Sequence, residues 1–318
     1  MPGEREPGAV VWDFFRGAMM TKALAIVADL RIAEGLASGP RHVAELARDA
    51  EVDADALHRV MRALASDGVF AEDEPGVFRL TEASEVLLRP GWSAFAHLFG
   101  GVFFGAVATL DRAVGTGSAP FAETFGEEYW SWLAARPDER AAFDRAMGDE
   151  PRKAALFSDV EWHDGETVVD VGGGNGALLL EVLRDRPQVR GIVFDLPETT
   201  RDESTFPDNV EFAAGSFFER VPPGDAYVLS GILHDWDDER AAAILRTIRA
   251  SAPPGARLLV AESVAPGNEP DGAKWLDLLM LVLMGGRERT EPQWRALLEG
   301  VDLEPVRIED GLLEARCP

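Results

Sequence analysis

The stretch Val168-Val169-Asp170-Val171-Gly172-Gly173-Gly174-Asn175-Gly176 sets a glycine-rich turn directly behind a short apolar run, and a second apolar run, Ile192-Val193-Phe194, ends at Asp195. Closely spaced glycines after a strand let the backbone turn sharply and approach a ligand. An acid at the end of the next strand can accept hydrogen bonds from ribose hydroxyls. Together they read as a nucleotide site in an α/β domain. The turn alone leaves the nucleotide open, because Gly172, Gly174 and Ala177 also satisfy the G-x-G-x-x-A spacing of nicotinamide enzymes.

Outward from the turn, apolar runs at 168–171, 191–196, 210–212, 226–233 and 257–264 predict strands, with helical segments after the first, fourth and fifth. This alternation predicts a mostly parallel sheet covered by helices, and 305–308 with 312–316 around Asp310-Gly311 predict a terminal antiparallel hairpin. After His234, Ala241, Ile244, Leu245 and Ile248 form one apolar helix face, with Asp237 and Asp238 near its start. Asp235 reads as a helix cap. Asp237, Asp238 and Glu239 resemble a carboxylate cluster for magnesium but read better as a solvated first helical turn.

Upstream, Leu57, Val60, Met61 and Leu64 follow helical spacing, and Asp53 or Asp55 can cap that helix. Val69-Phe70 and 77–80 flank the acidic turn Glu72-Asp73-Glu74-Pro75-Gly76, a hairpin signal. Helices followed by a hairpin make a winged-helix pattern over residues 1–94. Its candidate recognition helix sets Asp53, Asp55 and Asp67 against Arg59 and Arg62 with no basic stripe, which favours a dimerisation scaffold over a DNA-binding regulator. Residues 95–155 form a helical linker rich in aromatic side chains, most of them core, with a subset near Trp130, Phe143 and Met147 able to line an apolar pocket. Residues 156–318 form the nucleotide-binding domain.

With 318 residues, 46% of them apolar, the chain has room for two cores. A formal charge of -25 opposes nucleic acid and anionic membrane alike. The amino terminus lacks a signal-peptide pattern, the longest apolar stretch (276–284) is broken by Asp277, and the single Cys317 cannot form an intrachain disulfide. A cytoplasmic address is expected. The histidines His42, His58, His97 and His163 lack metal-ligand spacing, so no metal is expected.

Six motifs then decide between the nucleotides. They are the winged-helix front half, 170–176, Phe194-Asp195-Leu196-Pro197, Leu233-His234-Asp235-Trp236, Val260-Ala261-Glu262 and Gly285-Gly286-Arg287-Glu288-Arg289-Thr290. In this order they resemble the class I S-adenosylmethionine-dependent O-methyltransferases of the plant caffeic-acid type and of bacterial aromatic natural-product (antibiotic and polyketide) metabolism. The resemblance spans nearly the whole chain. It implies a Rossmann-like methyltransferase domain behind a winged-helix dimerisation domain in an intertwined homodimer. S-adenosylmethionine would be the cofactor and S-adenosylhomocysteine the product.

By the same resemblance Gly172 and Gly174 approach the cofactor and Asp195 holds its ribose. The family's Gly-Asp-x-Phe adenine segment reads Gly215-Ser216-Phe217-Phe218 here, so Ser216 replaces a carboxylate; cofactor affinity falls, or water fills the gap. Ser230 stands where the family often has a lysine near the cofactor carboxylate. His234 corresponds to the catalytic base and Glu262 and Glu288 to the two acids that orient it. A phenol with a pKa near ~10 is a poor nucleophile until it loses its proton, and an imidazole titrating near ~6.5 can take it. Phe143, Met147, Met280 and Met284 are side chains suited to a planar aromatic acceptor. Structural readings stand beside these: His234 as an ordinary strand-end polar residue, Glu262 as an arginine partner, Glu288 as a solvated loop acid between Arg287 and Arg289. The competing functions are a cofactor-binding relative catalysing hydroxylation or decarboxylation, and a winged-helix regulatory protein.

Overall fold

The central parallel strands of the nucleotide domain are apolar on both faces because the sheet is covered on both sides. Val169, Val171, Tyr227, Leu229, Leu258 and Val260 enter one core with Ile244, Leu245, Ile248, Trp294 and Leu298. Their strand neighbours Val168, Val193, Val228 and Leu259 enter the other, with Leu178, Leu179, Val182 and Leu183. This is why the strands read as continuous apolar runs and not as alternation. The computed structural model describes residues 6–148, 150–197, 199, 201, 203–309 and 311–318; Asp310 of the expected terminal turn lies outside them.

The strands are β1 (Arg41–His42), β2 (Phe70–Glu74), β3 (Val77–Leu80), β4 (Thr167–Val171), β5 (Arg190–Asp195), β6 (Val210–Ala214), β7 (Ala226–Ser230), β8 (Arg257–Ala261), β9 (Glu304–Glu309) and β10 (Leu312–Arg316). The chain divides into two compact units: Met1–Gly105 with Ala135–Gly148, and Ala106–Ala134 with Asp149–Pro318.

In the first unit β1, β3 and β2 form a small antiparallel sheet in that order. Helices Pro7–Asp29, Ile32–Leu36, Val43–Asp49 and Ala54–Ser66 accompany it. Asp53, not Asp55, caps the last of these, its carboxylate accepting from the amide of Ala56 at 2.8 Å. Val27, Ile32, Leu36, Leu46, Met61, Leu64, Phe70 and Phe78 close the core.

In the second unit the sheet order is β6-β5-β4-β7-β8-β10-β9. The first five are parallel, and the β9–β10 hairpin adds antiparallel to β8. Helices Ala177–Leu183 and Asp238–Ser251 follow β4 and β7, and Ala273–Leu283 and Glu291–Glu299 follow β8. Phe121, Tyr129 and Trp132 are buried core aromatics. Two expected strands stop early, at Ser230 and Ala261 instead of residues 233 and 264. Among the described residues no single helix is long and apolar enough to cross a membrane.

Candidate active site

The chain runs from β4 outward through β5 and β6, then returns to β7 on the other side of β4. Ligands of open α/β sheets bind at such a reversal, outside the carboxyl ends of the strands. The glycine turn leaves the carboxyl end of β4 at this place. Gly172 has φ +75°, and a Cβ there would lie 2.5 Å from Ile232 Cδ1. Gly174 has φ +58° with no atom within 4 Å of the place a Cβ would occupy, so the turn is open there. Its amide donates to Asp195 Oδ2 at 2.8 Å, while Asp195 Oδ1 accepts from the Leu196 amide (2.6 Å) and the Thr199 hydroxyl (2.8 Å). A carboxylate accepts about four hydrogen bonds, so Asp195 retains acceptor capacity for a diol.

Beside the turn, the Phe217 ring lies 3.7 Å from the Gly172 Cβ position. Phe217, Phe218 and Trp236 form an edge-on aromatic group, the Phe218 and Trp236 centroids 4.9 Å apart. Ser216 Oγ accepts from the Phe218 amide at 3.3 Å, so this hydroxyl shapes its own turn. Ser230, half-buried, ends β7. The cradle of open glycine backbone, the Asp195 acceptor and the aromatic edge fit a nucleoside.

His234 sits on the next turn. Gly231, at φ +64°, follows β7, and Leu233–Asp235 coil into a 3-10 turn. Glu262, just past β8, holds that turn by its backbone: Oε1 accepts from the amides of Ile232 (3.0 Å) and Leu233 (2.6 Å). It thus departs from the two expectations for it, as among the described residues it makes no hydrogen bond to the imidazole and no ion pair with an arginine. Glu288 takes the imidazole itself, Oε1 lying 2.8 Å from Nδ1, with its side chain 1% exposed. The expectation of a solvated loop acid therefore fails for Glu288. A carboxylate at Nδ1 keeps the proton on that nitrogen, while Nε2 faces the Asp235 carboxylate at 3.4 Å.

The strap 285–290 lies against the same turn. Gly286 has no room for a Cβ, which would overlap the His234 carbonyl oxygen, and the Arg287 amide donates to that oxygen at 2.8 Å. Arg289, fully buried, donates to the carbonyls of Leu233 and Trp236, each at 2.8 Å, and pairs with Asp238 at 2.9 Å. The Glu288 amide donates to Asp277 Oδ1 at 2.8 Å. Sequence reasoning missed Gly286, Arg289 and Asp277 as parts of the site. The available signals were the doubled glycine before a charged triplet and the lone acid inside an apolar helix.

Burial opposes a charge on His234, but the Glu288 hydrogen bond and the negative charges of Asp235, Glu262 and Glu288 outweigh it and push its pKa up to about 10. Burial pushes the Asp235 carboxyl up to about 7 against the pull of His234. Burial also raises Glu262, offset in part by His234, the Leu233 amide and Arg289. Asp235 is not the helix cap expected of it. It is buried with Oδ1 3.4 Å from His234 Nε2, and Asp237 caps the helix instead, accepting from the Arg240 amide at 2.8 Å. Phe143 and Met147 are half-buried on Pro137–Met147 of the first unit; Met280 is buried on Ala273–Leu283, and Met284 ends that helix, in the second.

Residues 107–302 match the model of the O-methyltransferase domain, and residues 12–90 that of the O-methyltransferase dimerisation domain.

The chain belongs to the O-methyltransferase family.

Among its relatives, phenazine O-methyltransferase PhzM of Lysobacter antibioticus is 37% identical over 97% of this chain and 96% of its own. The O-demethylpuromycin-O-methyltransferase of Streptomyces alboniger is 38% identical over 94% of this chain and 83% of its own. Among solved structures, the O-methyltransferase NcsB1 from neocarzinostatin biosynthesis, in complex with S-adenosylmethionine and 2-hydroxy-5-methyl naphthoic acid, superposes with a TM-score of 0.81 at 31% identity, covering 94% of this chain and 96% of that one. The sheet of this O-methyltransferase is accordingly that of a class I methyltransferase. The reading as a relative catalysing hydroxylation or decarboxylation finds no support among these proteins, all of which are O-methyltransferases.

Proposed function

We propose that this O-methyltransferase transfers the methyl group of S-adenosylmethionine to a phenolic hydroxyl of a small aromatic natural-product precursor, with His234 as general base. One observation carries the reading: an imidazole whose Nδ1 is held by a buried carboxylate, on the turn that follows β7 and close to the open glycine cradle of β4. When bound, the cofactor supplies an electrophilic methyl on a sulfonium. Gly172 and Gly174 would approach it, Asp195 would accept from its ribose, Ser216 and Phe217 would border the adenine, and Ser230 would lie toward its amino-acid end.

The chain's own residues do the rest. Glu288 fixes the tautomer of His234, Glu262 fixes the backbone that carries it, and Nε2 takes the phenol proton as oxygen becomes the nucleophile. General-base help of this kind is typically worth about 10²–10⁴-fold, and holding the reacting atoms in line adds the remainder. The flexible apolar side chains of Met280 and Met284, with Phe143 and Met147, are proposed as acceptor contacts on their chemistry alone. The division at residues 94 and 155, a homodimer built through the amino-terminal domain and a cytoplasmic address belong to the same proposal. Label from the cofactor methyl appearing on a phenolic oxygen is the expected result of the test, and a hydroxylated or decarboxylated product free of that label would overturn it.

A further inference from the structure

We propose that Asp277 is a positioning residue for the base, acting through Glu288. Glu288 meets His234 from the strap 285–290, whose backbone is pinned to the His234 turn by the Arg287 amide and the Arg289 guanidinium. On its other edge the Arg289 carbonyl accepts from the Ala265 amide at 2.9 Å, and Val264 bridges Arg289 in parallel. These contacts hold residues 287 and 289; among the described residues Glu288's own backbone is held by Asp277 Oδ1, accepting from its amide at 2.8 Å. Asp277 is the one charged residue between Trp275 and Met284, and the one acid of the helix Ala273–Leu283. A half-buried carboxylate there is costly unless it is hydrogen-bonded, and the Glu288 amide is what it bonds. The line of hydrogen bonds therefore runs from Asp277 to the Glu288 backbone and from the Glu288 carboxylate to His234 Nδ1. Releasing its first member lets the second drift, and a small misplacement near a reacting group costs rate out of proportion to stability.

The inference rests on His234 as the base, and its test separates the two. The probe is the full chain with S-adenosylhomocysteine. The proton of His234 Nδ1–H, hydrogen-bonded to Glu288, gives a downfield NMR resonance assignable by its loss in His234→Ala. In Asp277→Ala, or in Asp277→Leu should the smaller residue fail to fold, this resonance moves upfield or broadens and kcat falls by about tenfold. The S-adenosylhomocysteine affinity stays unchanged. Asp277→Asn, whose carbonyl still accepts from the Glu288 amide, restores both. An unmoved resonance in the Ala and Leu variants, or an Asn variant as impaired as they are, overturns the inference. Full turnover in His234→Ala overturns the base assignment, while the resonances still report whether Asp277 positions Glu288.

Discussion

His234 is held by charges that make it a strong base and, in the ligand-free chain, a protonated one. Its pKa of about 10 is set against burial by Glu288, Asp235 and Glu262. Only the neutral imidazole can accept a proton, so kcat/KM, which reports the free enzyme, is expected to rise with pH and level off only near 10. A cation bound beside the imidazole disfavours its protonation, so kcat, which reports the loaded enzyme, is expected to level off at lower pH. Ionisation of the free phenol also enters kcat/KM, but Glu288→Gln cannot move that. It removes the anion at Nδ1, lowers the histidine's pKa and shifts the acidic limb to lower pH; rate profiles of the two proteins that superimpose in midpoint would remove Glu288 from this role. Ser216 gives a second expectation. Restoring a carboxylate with Ser216→Asp should tighten S-adenosylhomocysteine by about tenfold or more by calorimetry, since a hydrogen bond to a charged group is worth about 1.5–3 kcal/mol; no change would mean that the adenine edge is satisfied otherwise. His234, Glu262 and Glu288 could be singled out as candidates because they stand in recognisable strings. Their division of labour was not readable, because whether an acid bonds an imidazole or the amides before it depends on side-chain direction at the end of a strand.

The elements that carry the site were read with more success than their ends. Continuous apolar runs marked β4, β5, β7 and β8 because both faces of the sheet are covered. The same runs pointed past Ser230 and Ala261, where apolar composition persists but Gly231 turns the chain and Glu262 captures the Ile232 and Leu233 amides. Hydrophobicity cannot report that change, since Ile232 and Leu233 suit a strand as well as a turn. The strap 285–290 is the second element whose role depends on contact. Gly286→Ala would drive a methyl into the His234 carbonyl, so we expect turnover to fall by at least tenfold and stability by about 1–3 kcal/mol, the usual cost of overpacking; denaturant unfolding with wild-type midpoint and activity would contradict the packing. Gly172→Ala places a side chain at positive φ and against Ile232. Calorimetry should show S-adenosylhomocysteine binding lost, with retained affinity showing that the cradle lies elsewhere.

For the molecule as a whole, the charge of -25 and the mostly parallel sheet could be read before any coordinates, and so could the helices and hairpin of the amino-terminal domain. Not readable was how much apolar surface the first helix leaves uncovered: Trp12, Phe14, Phe15 and Met19 are each 60% or more exposed in the single chain. Exposed clusters of this kind mark association surfaces, and the match of residues 12–90 to a dimerisation domain supports the second copy proposed as the partner. Replacing Trp12 and Phe15 with Asp should shift the mass in solution scattering from dimer to monomer, and an unaltered mass would exclude this face. The central claim, transfer of a methyl group to a phenol assisted by His234, is tested most directly by following labelled methyl from S-adenosylmethionine into a panel of phenols with wild-type and His234→Ala protein. The expected result is label on a phenolic oxygen, with turnover at least tenfold lower in the variant at unchanged S-adenosylhomocysteine affinity. Label on no phenol, or equal turnover by the two proteins, would contradict it.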